Sequence, residues 1–190
     1  SINTSLRQIT VLDEYPRLGH VKGYNRLFRA AKGRYTVWLN DDAEVEDSWD
    51  TAAIRFMDEH QEVGLGALYY CDQGKPPYRI NAYQGMPYAN FGIIKTDLGN
   101  ELGWFDDEVC YFYGGDNSLA FRVYLAGLGV AGIPYSRICH YPSPDENRPE
   151  NESHQVDDAT RLMDKYGQHV DKMLGVSRKF NSLNRELFIT

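Results

Sequence analysis

The chain has 190 residues, a mass of 21.8 kDa and a formal charge of −7, which fits one domain that buries roughly 70% of the surface its unfolded form exposes. With 42% hydrophobic and 25% charged residues it excludes disordered and coiled-coil proteins, and its acidic balance, without a Lys/Arg cluster, excludes nucleic-acid binding through phosphate neutralisation. No run of 18 apolar residues and no basic-then-apolar leader stands out, so no transmembrane segment is expected, and three widely spaced cysteines, Cys71, Cys110 and Cys139, point to a reducing compartment, the cytoplasm.

In chain order, 8–12 reads as a short strand and 21–31 as a helix, with Tyr24, Leu27, Ala30 and Ala31 at helical spacing and a stop at Gly33. The strand at 35–39 follows. It is apolar throughout, the signature of a central parallel strand covered on both faces, and completes one βαβ unit. Trp49, Ala52, Ala53, Phe56 and Met57 predict an amphipathic helix over 48–60. Next come a strand at 63–70, a turn-rich loop at 72–77, strands near 78–83 and 88–94, and a short helix at 96–102.

An acidic, aromatic loop then leads into a helix over 117–126 and a last strand at 130–133, and 138–140 closes the compact part, 1–142. The proline-bearing stretch 143–154 reads as a polar linker. Over 155–190 Val156, Ala159, Met163, Tyr166, Val170 and Met173 mark a helical extension that Gly167 interrupts.

Three groups can carry chemistry. Asp41, Asp42 and Glu44 sit just past a buried strand, where ligands of open α/β sheets bind. Hard oxygen donors in one turn suit Mn²⁺ or Mg²⁺, and the same charges equally suit the start of the next helix. Asp116, after Gly114 and Gly115, is either a general base or a helix N-cap. His140 is either a metal or phosphate contact or a hydrogen-bonded core residue. The 14 Tyr, 8 Phe and 3 Trp supply rings that can meet the apolar face of a sugar, although most rings fill cores.

Gly23-Tyr24-Asn25, then Ala31-Lys32-Gly33-Arg34-Tyr35, then Leu39-Asn40-Asp41-Asp42-Ala43-Glu44-Val45 resemble the "G-x-N…A-x-G-x-Y…L-(D/N)-x-D" segment of the family-2 glycosyltransferases. Gly103-Trp104-Phe105-Asp106-Asp107-Glu108 followed by Tyr113-Gly114-Gly115-Asp116 is similar to that family's "G-x-F-D-E…G-E-D" stretch, with Gly115 where Glu is usual. The resemblance spans 8–140. It implies a GT-A fold, an α/β domain with a mixed, mostly parallel central sheet flanked by helices.

By the same resemblance Asp42 and His140 are metal ligands for Mn²⁺ or Mg²⁺ and Asp116 is the catalytic base of an inverting enzyme. Gly23, Asn25, Asn40 and Asp41 line the donor site, and Trp104, Tyr113, Gly114, Gly115 and Arg122 contact substrate, with Tyr111 and Phe112 as further stacking rings. The implied partners are a UDP-, GDP- or dTDP-linked sugar donor and a glycan or other hydroxyl acceptor.

One departure is at the front. Only 39 residues precede Asn40, and they hold one βαβ unit where a mononucleotide-binding half uses two. The first βαβ portion is therefore read as missing, and the uncovered sheet edge would favour homo-oligomers. The alternative to an active metal-dependent inverting glycosyltransferase is a truncated or degenerate domain that serves as a binding or assembly module. A nucleotidyltransferase lacks support, because no Gly-rich, Lys/Arg-bearing phosphate loop lies near the N-terminus.

Overall fold

The most continuous apolar run in the chain, Val-Gly-Leu-Gly-Ala-Leu-Tyr-Tyr-Cys, forms the middle strand of the sheet, β3 (Val63–Asp72), which is buried along all but its last residue. The computed structural model describes Val11, 18–142, 148–185 and the backbone at 188–189. The expected strand at 8–12 lies outside the described residues apart from Val11, and so does the first half of the expected βαβ unit.

Ahead of β3 come α1 (His20–Ala30), β1 (Tyr35–Trp38), β2 (Ala43–Val45) and α2 (Trp49–Glu59). After it come β4 (Lys75–Arg79), β5 (Asn81–Tyr83), β6 (Met86–Tyr88), β7 (Gly92–Lys95), α3 (Thr96–Leu102), α4 (Gly115–Leu125) and β8 (Gly129–His140). Helices α5 (Arg148–Ser153), α6 (Gln155–Tyr166) and α7 (Val170–Ser177) and the short β9 (Phe188–Ile189) follow. Among the described residues no helix is long and apolar enough to cross a membrane.

β8 runs parallel to β3 along its whole length, from Val63↔Gly129 to Asp72↔His140. On the opposite side β7 pairs with the first half of β3 and β4 with its end, both antiparallel. β1 borders β7, β2 borders β8 and β9 borders β4. The expected mixed sheet with flanking helices is present. Two details differ among the described strands: β3–β8 is the one parallel pairing, and β1 pairs only with β7, antiparallel, rather than standing as a central parallel strand. Burial along β1 alternates, with Thr36 and Trp38 inward and Tyr35 and Val37 half-covered, as expected of a strand packed on one face.

The last strand, expected at 130–133, runs on to His140 through a bulge. Leu68 pairs with Ile133 and Tyr69 with Arg137, so 134–136 are extra, and Tyr135 takes φ 65° there. Met57 of α2 closes on Gly66 of β3, where a Cβ would meet Ile133 at 2.4 Å and Ile93 at 2.8 Å. Val123 of α4 closes on Gly64. The stretch expected as a linker carries α5 over its second half, and 143–147 lie outside the described residues. Leu162, Tyr166, Met173, Val176 and Phe180 join the same hydrophobic core as the sheet, so the expected extension packs against the sheet. Gly167 does separate α6 from α7, through a 3-10 turn.

Candidate active site

The carboxyl ends of β1, β3 and β8 open on a cavity of about 920 Å³. β2 pairs with β8 with Ala43 opposite His140, and the Tyr141 N–H donates to the Asp42 carbonyl at 2.8 Å. That pairing brings Asp42 beside His140: Oδ1 lies 3.3 Å from Nε2. The contact is within ion-pair range without hydrogen-bond geometry, and among the described residues no donor reaches this buried oxygen. On the other ring nitrogen, Nδ1 lies 3.1 Å from Asp72 Oδ1, because Asp72 is paired with His140 across the parallel strands. The other Asp72 oxygen accepts from Arg79 of β4, whose guanidinium stacks over the Tyr70 ring at 4.6 Å.

Asp116 lines the same cavity from the first turn of α4. The cap of that helix is Gly114, at φ 80°, so Asp116 is not the N-cap. Its Oδ1 accepts the Asn117 N–H at 2.8 Å and its Oδ2 accepts from Asn90 Nδ2 at 3.3 Å. Burial outweighs these bonds and pushes the Asp116 carboxyl up to about 6. Gly115 follows from packing: a Cβ there would sit 2.8 Å from the Phe105 ring.

The Tyr24 hydroxyl is anchored to the segment that follows β1. It reaches the Leu39 carbonyl at 3.0 Å and Asn40 Oδ1 at 2.8 Å, and burial together with the charges of Asp41, Asp42 and Asp116 raises it well above the ordinary phenol range. His20 packs against Phe112 with the rings tilted and their centroids 5.1 Å apart, and burial pushes it down to about 4, so it is neutral at physiological pH. The loop carrying Phe112 and Tyr113 is tied down by Asp158 of α6. Its carboxylate accepts the backbone N–H groups of Tyr111, Phe112 and Tyr113 at 3.0, 2.8 and 2.8 Å.

Of the residues singled out from sequence, Gly23, Asn40, Asp41, Asp42, Tyr113, Gly114, Gly115, Asp116 and His140 all line this cavity. Three do not. Asn25 is fully buried and uses its amide to brace Phe105, donating to the carbonyl at 2.8 Å and accepting from the N–H at 3.1 Å. Trp104, 2% exposed, stacks on Phe28 with centroids 4.7 Å apart. Arg122 turns away from the cavity and binds the Leu102 and Trp104 carbonyls and Asp106. Tyr111 packs against the His154 ring rather than lining the cavity. Glu44 is exposed on the far side of β2.

Sequence reading passed over Asp72, Arg79, Asn90 and, from α5, Arg148 and Asn151, all of which line the cavity. For Asp72 a signal existed: it terminates a wholly buried strand just as the Asp41-Asp42 pair follows β1, at the edge where α/β sheets bind ligands.

Among the described residues no group of three or more His, Cys, Asp or Glu side chains is arranged to hold a metal by itself. The donor set nonetheless fits a hard divalent cation bound jointly with phosphate oxygens. Mg²⁺ and its analogues are held by one or two protein groups plus substrate phosphates and water. Asp42 Oδ1 supplies a buried carboxylate oxygen with no competing hydrogen bond, and His140 Nε2 faces it.

A mixed sheet with helices on its faces, and an acid–histidine corner at the carboxyl edge of its strands, defines an α/β domain of the GT-A type. Residues 2–114, more than half of the chain, match the model of "Glycosyl transferase family 2", and the chain belongs to that family. It is 28% identical over 103 residues to N-acetylgalactosaminyltransferase 4 of Drosophila melanogaster, a match covering 50% of this chain and 15% of that protein. Its fold is similar to that in the crystal structure of GalNAc-T7 with UDP, GalNAc and Mn²⁺, at a TM-score of 0.57 and 14% identity over 72% of this chain and 32% of that one. The chain thus spans a minor part of each of these longer relatives.

Proposed function

We propose that this chain is the catalytic domain of a metal-dependent inverting glycosyltransferase, which moves a sugar from a nucleotide diphosphate to an acceptor hydroxyl. The observation that carries the reading is the buried, hydrogen-bond-free Asp42 Oδ1 facing His140 Nε2 at 3.3 Å, in the same cavity as a carboxylate held near neutrality, Asp116.

Asp42 and His140 would hold Mn²⁺ or Mg²⁺. Bound there with the donor, the cation supplies charge neutralisation for the departing diphosphate. Asp116 takes the proton of the acceptor hydroxyl as that oxygen bonds to the anomeric carbon and the bond from that carbon to the diphosphate oxygen breaks. A single carboxylate poised near pH 6 suits this direct displacement, since it is ionised at neutral pH and still basic enough to accept a proton. Phe112, Tyr113 and Gly114 form the wall beside it, where a sugar face can pack on the rings.

The UDP named with the GalNAc-T7 structure makes UDP the first nucleotide to test. Calorimetry with UDP and GDP, each with and without Mn²⁺, decides the matter. Metal-dependent binding of one of them that Asp42→Ala abolishes supports the reading. No response to either would favour a domain that has kept the fold as a binding module.

A further inference from the structure

We infer that Asp72, clamped by Arg79, is a positioning residue that fixes the proton of His140 on Nδ1 and so leaves Nε2 as a lone pair facing Asp42. The inference rests on the cation corner proposed above and explains what makes that corner competent.

Neutral imidazole carries one N–H, and the hydrogen bond made by one nitrogen decides what the other can do. His140 Nδ1 lies 3.1 Å from Asp72 Oδ1, and an ionised carboxylate can only accept. The proton therefore sits on Nδ1. Nε2 is then left unprotonated beside Asp42 Oδ1, an acceptor without a donor, 3.3 Å away. With the ring neutral, two acceptors this close repel, and a divalent cation bound beside them relieves that repulsion. Histidine ligands of metals are commonly held in this way, by a carboxylate on the remote nitrogen.

Arg79 settles the direction of this arrangement. It donates to Asp72 Oδ2 and is itself fixed over the Tyr70 ring at 4.6 Å. The strand register makes the whole row: Asp72 is opposite His140 in β8 and opposite Lys75 in β4, and Arg79 pairs with Tyr70 two residues before Asp72. None of these groups depends on the metal for its position.

The clamp gives Asp72→Asn a specific consequence. Arg79 has only donors, so it holds the amide oxygen, and the amide NH₂ is turned towards His140 Nδ1. Nδ1 must then accept, the proton moves to Nε2, and the lone pair facing Asp42 disappears. Removing a ligand-orienting partner of this kind lowers metal affinity by about 10–100-fold. In Asp72→Asn/Arg79→Met the amide is free to rotate, return its oxygen to Nδ1–H and restore the original tautomer.

Two measurements test this on the full chain. Two-bond ¹H–¹⁵N spectra of the metal-free protein at about pH 8, with His140→Gln used for assignment, read the tautomer directly. Mn²⁺ titration in the presence of UDP, followed by the paramagnetic resonance of free Mn²⁺, reads affinity. The expected results are Nδ1–H in the wild type, Nε2–H with a 10–100-fold loss of affinity in Asp72→Asn, and recovery of both in the double variant. Nδ1–H retained in Asp72→Asn with Mn²⁺ affinity within about twofold of wild type, or a double variant no better than the single one, overturns the inference. The tautomer is read without metal, so it decides the role of Asp72 even where the wild type binds no Mn²⁺, the result that would overturn the reading of the corner itself.

Discussion

Asn90 Nδ2 donates to Asp116 Oδ2 across 3.3 Å, and the direction of that amide is set from behind, since Asn81 donates to Asn90 Oδ1 at 2.6 Å and takes a bond from the Tyr70 hydroxyl at 3.1 Å. The chain of amides aims a donor at the one carboxylate on its wall of the cavity whose acidity burial has weakened. If Asp116 is the base, Asp116→Asn should bind nucleotide as the wild type does and lose turnover by about 10²–10⁴. Calorimetry and single-turnover assays on one preparation separate the two effects. Unchanged turnover would remove Asp116 from the mechanism.

The same residue carries a stability signature. Its folded-state value, about 6, lies above the 3.8 of an ordinary aspartate, so between those values the native state holds a proton that the unfolded chain has released. Stability from this group is therefore greatest below about pH 4, falls as pH rises through 6, and is at its lowest at neutral pH. Asp116→Asn removes that dependence. It should raise the unfolding free energy at pH 7.5 by roughly 1–3 kcal/mol and leave it nearly unchanged at pH 4, as read from urea denaturation at the two pH values.

Asn90→Ala takes away the side-chain donor to the ionised form of Asp116 while leaving the Asn117 N–H in place. Protonation then becomes easier. The acidic limb of the turnover profile, expected near pH 6 in the wild type, should move upward by about half a unit to one unit, in keeping with the loss of one hydrogen bond to a charged group. A limb that stays where it was would mean that Asn90 does not touch the reacting carboxylate.

Much of the fold was legible because local pattern and tertiary role agreed. The amphipathic spacing from Trp49 to Met57 gave α2 almost to the residue, and Thr96–Leu102 is a helix as read. The pattern misled where strand order, a long-range property, decides the answer. Tyr-Thr-Val-Trp-Leu reads as a covered central strand, yet β1 has a partner on one side among the described strands, and the centre belongs to β3. β8 reads as ending at Ile133 because Pro134 and Tyr135 interrupt it, and only the parallel register with β3 carries it on to His140.

Placement around the cavity was legible where a short motif fixes a residue against the backbone, as at Asp42, Asp116 and His140. It was misread where a motif residue lies beside the cavity with its side chain turned away. Asn25 and Arg122 occupy the expected positions in the chain, and both serve the Phe105 segment from behind. Sequence spacing places a Cα; the direction of the side chain depends on which carbonyls and carboxylates surround it. Asp72 shows the converse. It sits in no motif, and only the pairing of β3 with β8 puts it on His140.

Arg122 accordingly belongs to the scaffold. Its guanidinium holds Asp106, 1% exposed, at 2.7 Å, and bonds to the Leu102 and Trp104 carbonyls and the Tyr166 hydroxyl. Arg122→Met leaves Asp106 with Lys165 and Tyr166 as partners, so the cost should fall at the low end for a broken buried pair, about 3 kcal/mol. Thermal unfolding should show that loss. Nucleotide affinity measured at a temperature where the variant is still folded should stay close to wild type, whereas a direct substrate contact would lower it.

Asp158 offers the sharpest test of how the C-terminal helices support the site. Burial alone would raise its carboxyl, but the N–H groups of Tyr111, Tyr113 and Phe112, with Arg161 beside them, outweigh burial and hold it below the ordinary aspartate value. A depressed folded value means stability that is fully present above the unfolded value, about 3.9, and is lost as pH falls through the folded one. Asp158→Ala leaves three backbone donors of the 111–113 loop without their acceptor. It should cost about 2–4 kcal/mol at pH 7 and progressively less as acid protonates the wild-type carboxylate. Because the loop carries Phe112 and Tyr113 on the cavity wall, KM for the acceptor should rise while the metal-dependent affinity for nucleotide at the Asp42–His140 corner stays the same. An equal loss of both affinities would indicate that the variant has disordered the domain as a whole, and no change in either would detach α6 from the function of the loop.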